Sequence, residues 1–168
     1  MKLVVAVQFD GPAAIAVGLV FEEWDAPEAS RICLSRIAKV EKTERGALDL
    51  RALPCVLQLL REHALAAELI LIDGCVHLDA METPALGRHL YQALGGRCAI
   101  IGVSKAAVAL LPAQFEVVRE EEARPLVVTC VGIDLGAAKA RLRTMHGKRR
   151  VPTLLKLAAR IAKGGASP

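Results

Sequence analysis

Aromatic side chains are scarce: Trp24 and Tyr91 are single, and with three phenylalanines they make up 3% of the 168 residues. That scarcity argues against a platform of several stacking rings, the usual device of single-strand binders. It leaves the interior to Ala, Val, Leu and Ile. Cysteines at metal-binding spacing are also missing. Cys33, Cys55, Cys75, Cys98 and Cys130 lie far apart, contain no C-x-x-C step and are odd in number, so neither a zinc knuckle nor a closed disulfide framework is expected. Four of them sit in apolar runs, where a thiol behaves as a small hydrophobe; Cys75, close to Asp73, is the exception. No apolar run reaches the roughly 18 to 20 residues that cross a bilayer. The opening MKLVVAVQFDGP has no charged region, long apolar stretch and cleavage site of a secretion signal, and a cytoplasmic protein is expected.

Acidic residues stop at Asp134. Residues 135–168 carry nine of the 22 Lys and Arg and none of the 18 Asp and Glu, so a net charge of +4 hides a strongly basic final segment. Such a segment attracts DNA or RNA through counterion release, and it also reads as a solvated helix face. Its densest stretch contains Lys148, Arg149 and Arg150, beside a helix start whose free N–H groups suit phosphate. With 54% hydrophobic and 24% charged residues, the chain has the composition of a folded domain. No internal repeat or long linker divides it, so residues 1–163 are read as one domain and residues 164–168 as a flexible tail.

Residues 2–9 form an apolar, Val-rich run, Asp10-Gly11-Pro12 signals a turn, residues 13–21 are apolar again and residues 31–40 alternate, which together predict a three-strand antiparallel start. Leu50, Leu53, Val56, Leu57, Leu60 and Leu65 recur at helical spacing over residues 49–66, with Asp49 as a candidate N-cap. Leu69-Ile70-Leu71-Ile72 is continuous enough for a strand buried on both faces, with Asp73-Gly74 at its mouth. Helix is expected over 83–94, strand over 98–103 and 127–131, and helices over 134–145 and 153–163, the last opened by Pro152. Three strands followed by alternating helix and strand predict an α/β fold: a mixed sheet with helices on both faces.

Leu69-Ile70-Leu71-Ile72-Asp73-Gly74, Ile100-Ile101-Gly102-Val103-Ser104-Lys105, and Arg150-Val151-Pro152 followed by Lys156-Leu157-Ala158 resemble, in order and spacing, motifs of the endonuclease V family. Pro84-Ala85-Leu86-Gly87-Arg88-His89-Leu90 resembles another of them loosely. The resemblance implies a ribonuclease H-like fold and a place in DNA repair. It also implies Mg²⁺-dependent cutting of a phosphodiester near inosine in DNA or RNA. Such chemistry needs carboxylates converging on the ion.

In the resemblance the first-strand Asp falls on Gln8, the helix Glu on Ala52 and the acidic or histidine residue of the last helix on Ala159; Asp73 alone is retained. Asp10 lies two residues past Gln8 on the same strand face, about 6 to 7 Å away, and Asp49 shares a helix face with Ala52. Thr43-Glu44-Arg45-Gly46-Ala47-Leu48 has no counterpart of the family's strand-separating wedge, and His77 is displaced by two positions from the family's histidine. Lys105 survives.

The expected function is a non-catalytic endonuclease V-like protein without a cofactor, binding nucleic acid weakly through Lys105, Lys148, Arg149 and Arg150. The alternative is an active nuclease of the deoxyinosine 3′ endonuclease type, with Asp10 and Asp73 as relocated catalytic residues and Mg²⁺ ligands.

Overall fold

The computed structural model describes residues 1–41, 50–119 and 124–164. The apolar runs at the start become β1 (Lys2–Asp10) and β2 (Ala13–Phe21), joined through Gly11 and Pro12, with Asp10 opposite Ala13. Gly11 has a φ of +58°, the left-handed value a tight hairpin turn requires and glycine adopts freely. Strand β3 (Arg31–Ile37) continues the meander. It ends three residues before the expected 40, although the Val40 N–H still donates to the Pro12 carbonyl at 2.6 Å.

Helix α1 (Ala52–Glu62) leads to β4 (Leu69–Asp73), which pairs parallel with β1. Helix α2 (Leu86–Ala93) leads to β5 (Ala99–Ser104), parallel to β4. A single 3-10 turn precedes the two-residue strand β6 (Glu116–Val117), and β7 (Leu126–Val131) returns antiparallel to β5. Helices α3 (Leu135–Thr144) and α4 (Thr153–Ala162) close the order. The sheet runs β3-β2-β1-β4-β5-β7-β6. With helices on both faces, this is the mixed α/β arrangement of the ribonuclease H-like fold.

Side-chain alternation decides which face each residue serves. Leu69 and Leu71 of β4 pack with Ala138, Leu142, Leu154 and Ala158 of α3 and α4, whereas Ile70 and Ile72 pack with Val56, Leu59 and Leu90 of α1 and α2. A strand with apolar residues at every position is therefore satisfied only in the middle of the sheet.

Helix α1 is shorter at both ends than the expected 49–66, and the start of α2 differs from expectation for a local reason. Helix α2 starts at Leu86, not residue 83, because Pro84 forms a β-bridge with His77. Asp79 is spent on the Thr83 N–H at 3.0 Å and the Thr83 hydroxyl at 2.7 Å, so it closes that loop and caps no helix. Strand β6 is too short to leave a periodic signal. Asp49, the 43–48 stretch and residues 165–168 lie outside the described residues. Asp134 does cap α3, accepting from the Ala137 N–H at 3.2 Å. Among the described residues no helix is long and apolar enough to cross a membrane.

Candidate functional site

Strand β4 delivers Asp73 to its own carboxyl end in the middle of the sheet, and its surroundings fix the chain that follows. Gly74 has a φ of +135° and donates its N–H to the Val103 carbonyl at 3.0 Å. The loop then runs so close to β5 that a Cβ on Gly102 would stand 2.6 Å from the Gly74 carbonyl oxygen. On its other side α2 presses in: a Cβ on Gly87 would meet Val76 Cγ2 at 2.7 Å. The Val76 N–H donates to the buried Thr129 hydroxyl at 2.8 Å. Held from three sides, the loop turns the Asp73 carboxylate outward, where it is exposed and has no hydrogen-bond or ion-pair partner among the described residues.

Alanines surround it. Asp73 shares a void of about 10 Å³ with Ala6, Lys105 and Ala159, and a larger cavity of about 200 Å³ with Ala6, Phe9, Ala52 and Leu86. The β1–β4 register ends with Val5 beside Ile72, so the next pair abreast is Ala6 and Asp73. The position on β1 that faces Asp73 is thus Ala6, two residues before the Gln8 suggested by the sequence. Ala52 and Ala159, the other two positions named by the resemblance, line these spaces with Asp73.

Asp10 lies four residues beyond Ala6, about 13 Å along the strand, and lines a different groove with Gln8, Ile15 and Arg36. Asp10 and Asp73 are therefore not brought together. That separation is far beyond what two carboxylates bridge when each sits about 2.1 Å from one Mg²⁺. Among the described residues, no group of three or more His, Cys, Asp or Glu converges as a metal site. Mg²⁺ demands octahedral oxygen ligation, and one carboxylate ringed by methyl groups does not fit it.

The other charges have distinct employment. Lys105, half-buried, follows β5 and stands by Asp73. Its carbonyl accepts from Arg150, whose guanidinium also donates to the carbonyls of Arg124 at 3.0 Å and Pro125 at 2.9 Å. Arg150 is thus committed to stapling backbone, while Lys148 and Arg149 are exposed. Arg119, 2% exposed, donates to the carbonyls of Met145 at 2.5 Å, Arg149 at 2.7 Å and Gly147 at 3.2 Å. It organises the connection between α3 and α4. In sequence it is hidden at the edge of Glu120-Glu121-Glu122 and reads as one more loop charge.

His77 is buried, its Nδ1 2.8 Å from the Asp79 carbonyl and its ring edge-on to Phe115 at 5.2 Å; it pins the loop. Burial, and then the nearby Asp73 carboxylate, push the Cys75 thiol above its ordinary value, which keeps it neutral and a poor nucleophile. Trp24 packs edge-on against Phe21 with Lys2 and Arg141 over its ring, so it already has neighbours at the opposite end of the sheet.

No protein-family model matches the chain, and no curated protein matches it in sequence. Solved structures do. Endonuclease V from Bacillus subtilis matches with a TM-score of 0.75 at 16% identity, over 97% of this chain and 79% of that one. A variant of Ciona intestinalis endonuclease V, in complex with DNA containing an inosine followed by a ribo-adenosine, matches with a TM-score of 0.73 at 16% identity, over 97% and 84%. The Streptomyces avermitilis endonuclease V matches with a TM-score of 0.64 at 20% identity, over 97% and 78%. At such identities the likeness is one of fold, and the fold of this chain is that of endonuclease V.

Proposed function

We propose that this protein binds nucleic acid on an endonuclease V-like scaffold without cutting it. The observation that carries the reading is the set of alanines, Ala6, Ala52 and Ala159, around the lone carboxylate of Asp73. Cutting a phosphodiester in this chemistry needs a divalent ion to activate water and offset charge on the phosphate. One carboxylate competes poorly with water for such an ion.

Binding needs less. Lys105 stands at the mouth of β4, and Arg143, Lys148 and Arg149 are exposed on and after α3. Cations on one segment give affinity that depends on salt and little on sequence. The Ciona intestinalis relative was solved with DNA, and its overall shape is shared here. A nuclease built on Asp10 and Asp73 is disfavoured by their separation along β1.

Incubation with inosine-containing DNA and RNA in Mg²⁺ or Mn²⁺, beside a mobility-shift titration, tests this. The expected result is retarded but intact strands at low salt, with binding lost as salt rises and the salt slope shallower by about 0.7 for each phosphate contact removed in a Lys105→Ala, Lys148→Ala, Arg149→Ala series. Cleavage abolished by Asp73→Ala would overturn the non-catalytic reading. No retardation at low salt would overturn the binding one.

A further inference from the structure

Among the described residues, the face of the sheet that α4 covers is left open beyond the end of the helix. The helix stops at Ala162, and there a groove of about 570 Å³ lies over β1, β2 and β3, lined by Gln8, Asp10, Ile15, Arg36, Ala162 and Lys163 among others. Its volume is in the range that small-molecule sites occupy.

The strand register sets out the floor. Gln8 pairs with Ile15 and Ile15 with Arg36, so the three stand in one row across the sheet. They share the face on which Val4, Ala6 and Val17 meet α4. Strands lie about 4.8 Å apart, which places Gln8 and Arg36 about 9.6 Å from each other with Ile15 between them. Asp10 stands one row further on, opposite Ala13, and Lys163 is at the rim. Gln8, Asp10, Arg36 and Lys163 are exposed, and no ion pair among the described residues joins Asp10 to either cation.

An apolar floor, flanked by an amide, a carboxylate and two cations, matches three parts of one ligand class. The floor suits the face of a planar heterocycle. Gln8 and Asp10 suit its hydrogen-bonding edge, and Arg36 and Lys163 suit a phosphate. We propose that this groove holds one nucleotide of a single strand, with the base over Ile15 and its phosphate between Arg36 and Lys163. The inference rests on the nucleic-acid-binding reading and deepens it by naming a subsite remote from Asp73. The Asp10 carboxylate only accepts hydrogen bonds. The ring N–H of uracil or guanine and the exocyclic amino group of adenine or cytosine each donate to it, so the subsite takes a base without strong selection among the four.

Amide chemical shifts of the uniformly labelled full chain, titrated at low salt with a short oligouridylate and an oligoadenylate of equal length, test the assignment. The expected result is shifts centred on Gln8, Ile15, Arg36 and Ala162 with either strand, reduced by Asp10→Ala. Arg36→Ala with Lys163→Ala is expected to weaken binding roughly tenfold, in line with the loss of two phosphate contacts. The shift map is read on the unaltered protein, so it stands even if a variant misfolds. Binding with shifts confined elsewhere, or indifferent to the double substitution in a folded variant, overturns the groove assignment and leaves the binding reading intact. Absence of shifts and of retardation with either strand overturns both.

Discussion

Replacing Arg119 by Met removes the buried fork that gathers the carbonyls of Met145, Gly147 and Arg149 at 2.5, 3.2 and 2.7 Å. Met keeps most of the side-chain volume, so the loss is chiefly polar. A hydrogen bond from a charged donor contributes about 1.5 to 3 kcal/mol. Met145 is only 3% exposed, and its carbonyl is left short of a donor. The three bonds do not add, and a net loss of about 3 to 5 kcal/mol is expected, the range found when one partner of a buried charged interaction is removed. At about 2 to 4 °C per kcal/mol for a chain of this size, the thermal midpoint falls by roughly 6 to 20 °C.

Trp24, the single tryptophan, packs against the α3–α4 side of the core and reports unfolding by its fluorescence. In urea the midpoint is expected to drop with the slope unchanged, because the area exposed on unfolding is the same. Arg119→Lys keeps the charge but not the fork, and is expected to recover less than half the loss. A midpoint within about 2 °C of the parent for Arg119→Met would refute the view that Arg119 organises this connection.

Two further outcomes follow from the same structure. Gly102→Ala places a methyl group 2.6 Å from the Gly74 carbonyl oxygen and 3.0 Å from the Val76 nitrogen; both are backbone, so the loop bearing Asp73 must shift, and a loss of about 1 to 3 kcal/mol is expected in urea melts. Cys98 and Cys130 are raised by burial from the ordinary thiol value of 9.0 to about 11, with nearby Glu68 adding to the first and Asp134 and Glu82 to the second. The native state therefore holds these protons where the unfolded chain releases them. Their contribution is whole below pH 9.0 and is lost as pH rises toward about 11. Thermal midpoints are expected to fall across that window, and less so in a Cys98→Ala, Cys130→Ala variant, with slow thiol labelling of the native protein below it.

The parts of the fold that were legible in the sequence are those written in local pattern. Leu69-Ile70-Leu71-Ile72 can be satisfied only as a central strand, Asp134 caps the helix it precedes, and Pro152 opens α4. What was hidden depends on pairing between distant segments. The facing of Ala6 and Asp73 follows from a parallel register that no single strand records, and a shift of two residues along β1 separates Gln8 from Ala6 without disturbing the alternation. The function of Arg119 depends on three carbonyls more than 25 positions away, and the start of α2 depends on Pro84 bridging to His77. Ala6, Ala52 and Ala159 are ordinary in composition and acquire meaning only from standing around one carboxylate.

The most direct test of that arrangement is Mn²⁺ binding followed by electron paramagnetic resonance in the unaltered protein, in Asp73→Asn and in an Ala6→Asp, Ala159→Asp variant. The account expects weak binding indifferent to Asp73→Asn in the native chain, and a gain of at least about tenfold once carboxylates at positions 6 and 159 join Asp73 as oxygen ligands. Tight binding by the unaltered protein that Asp73→Asn abolishes would contradict it.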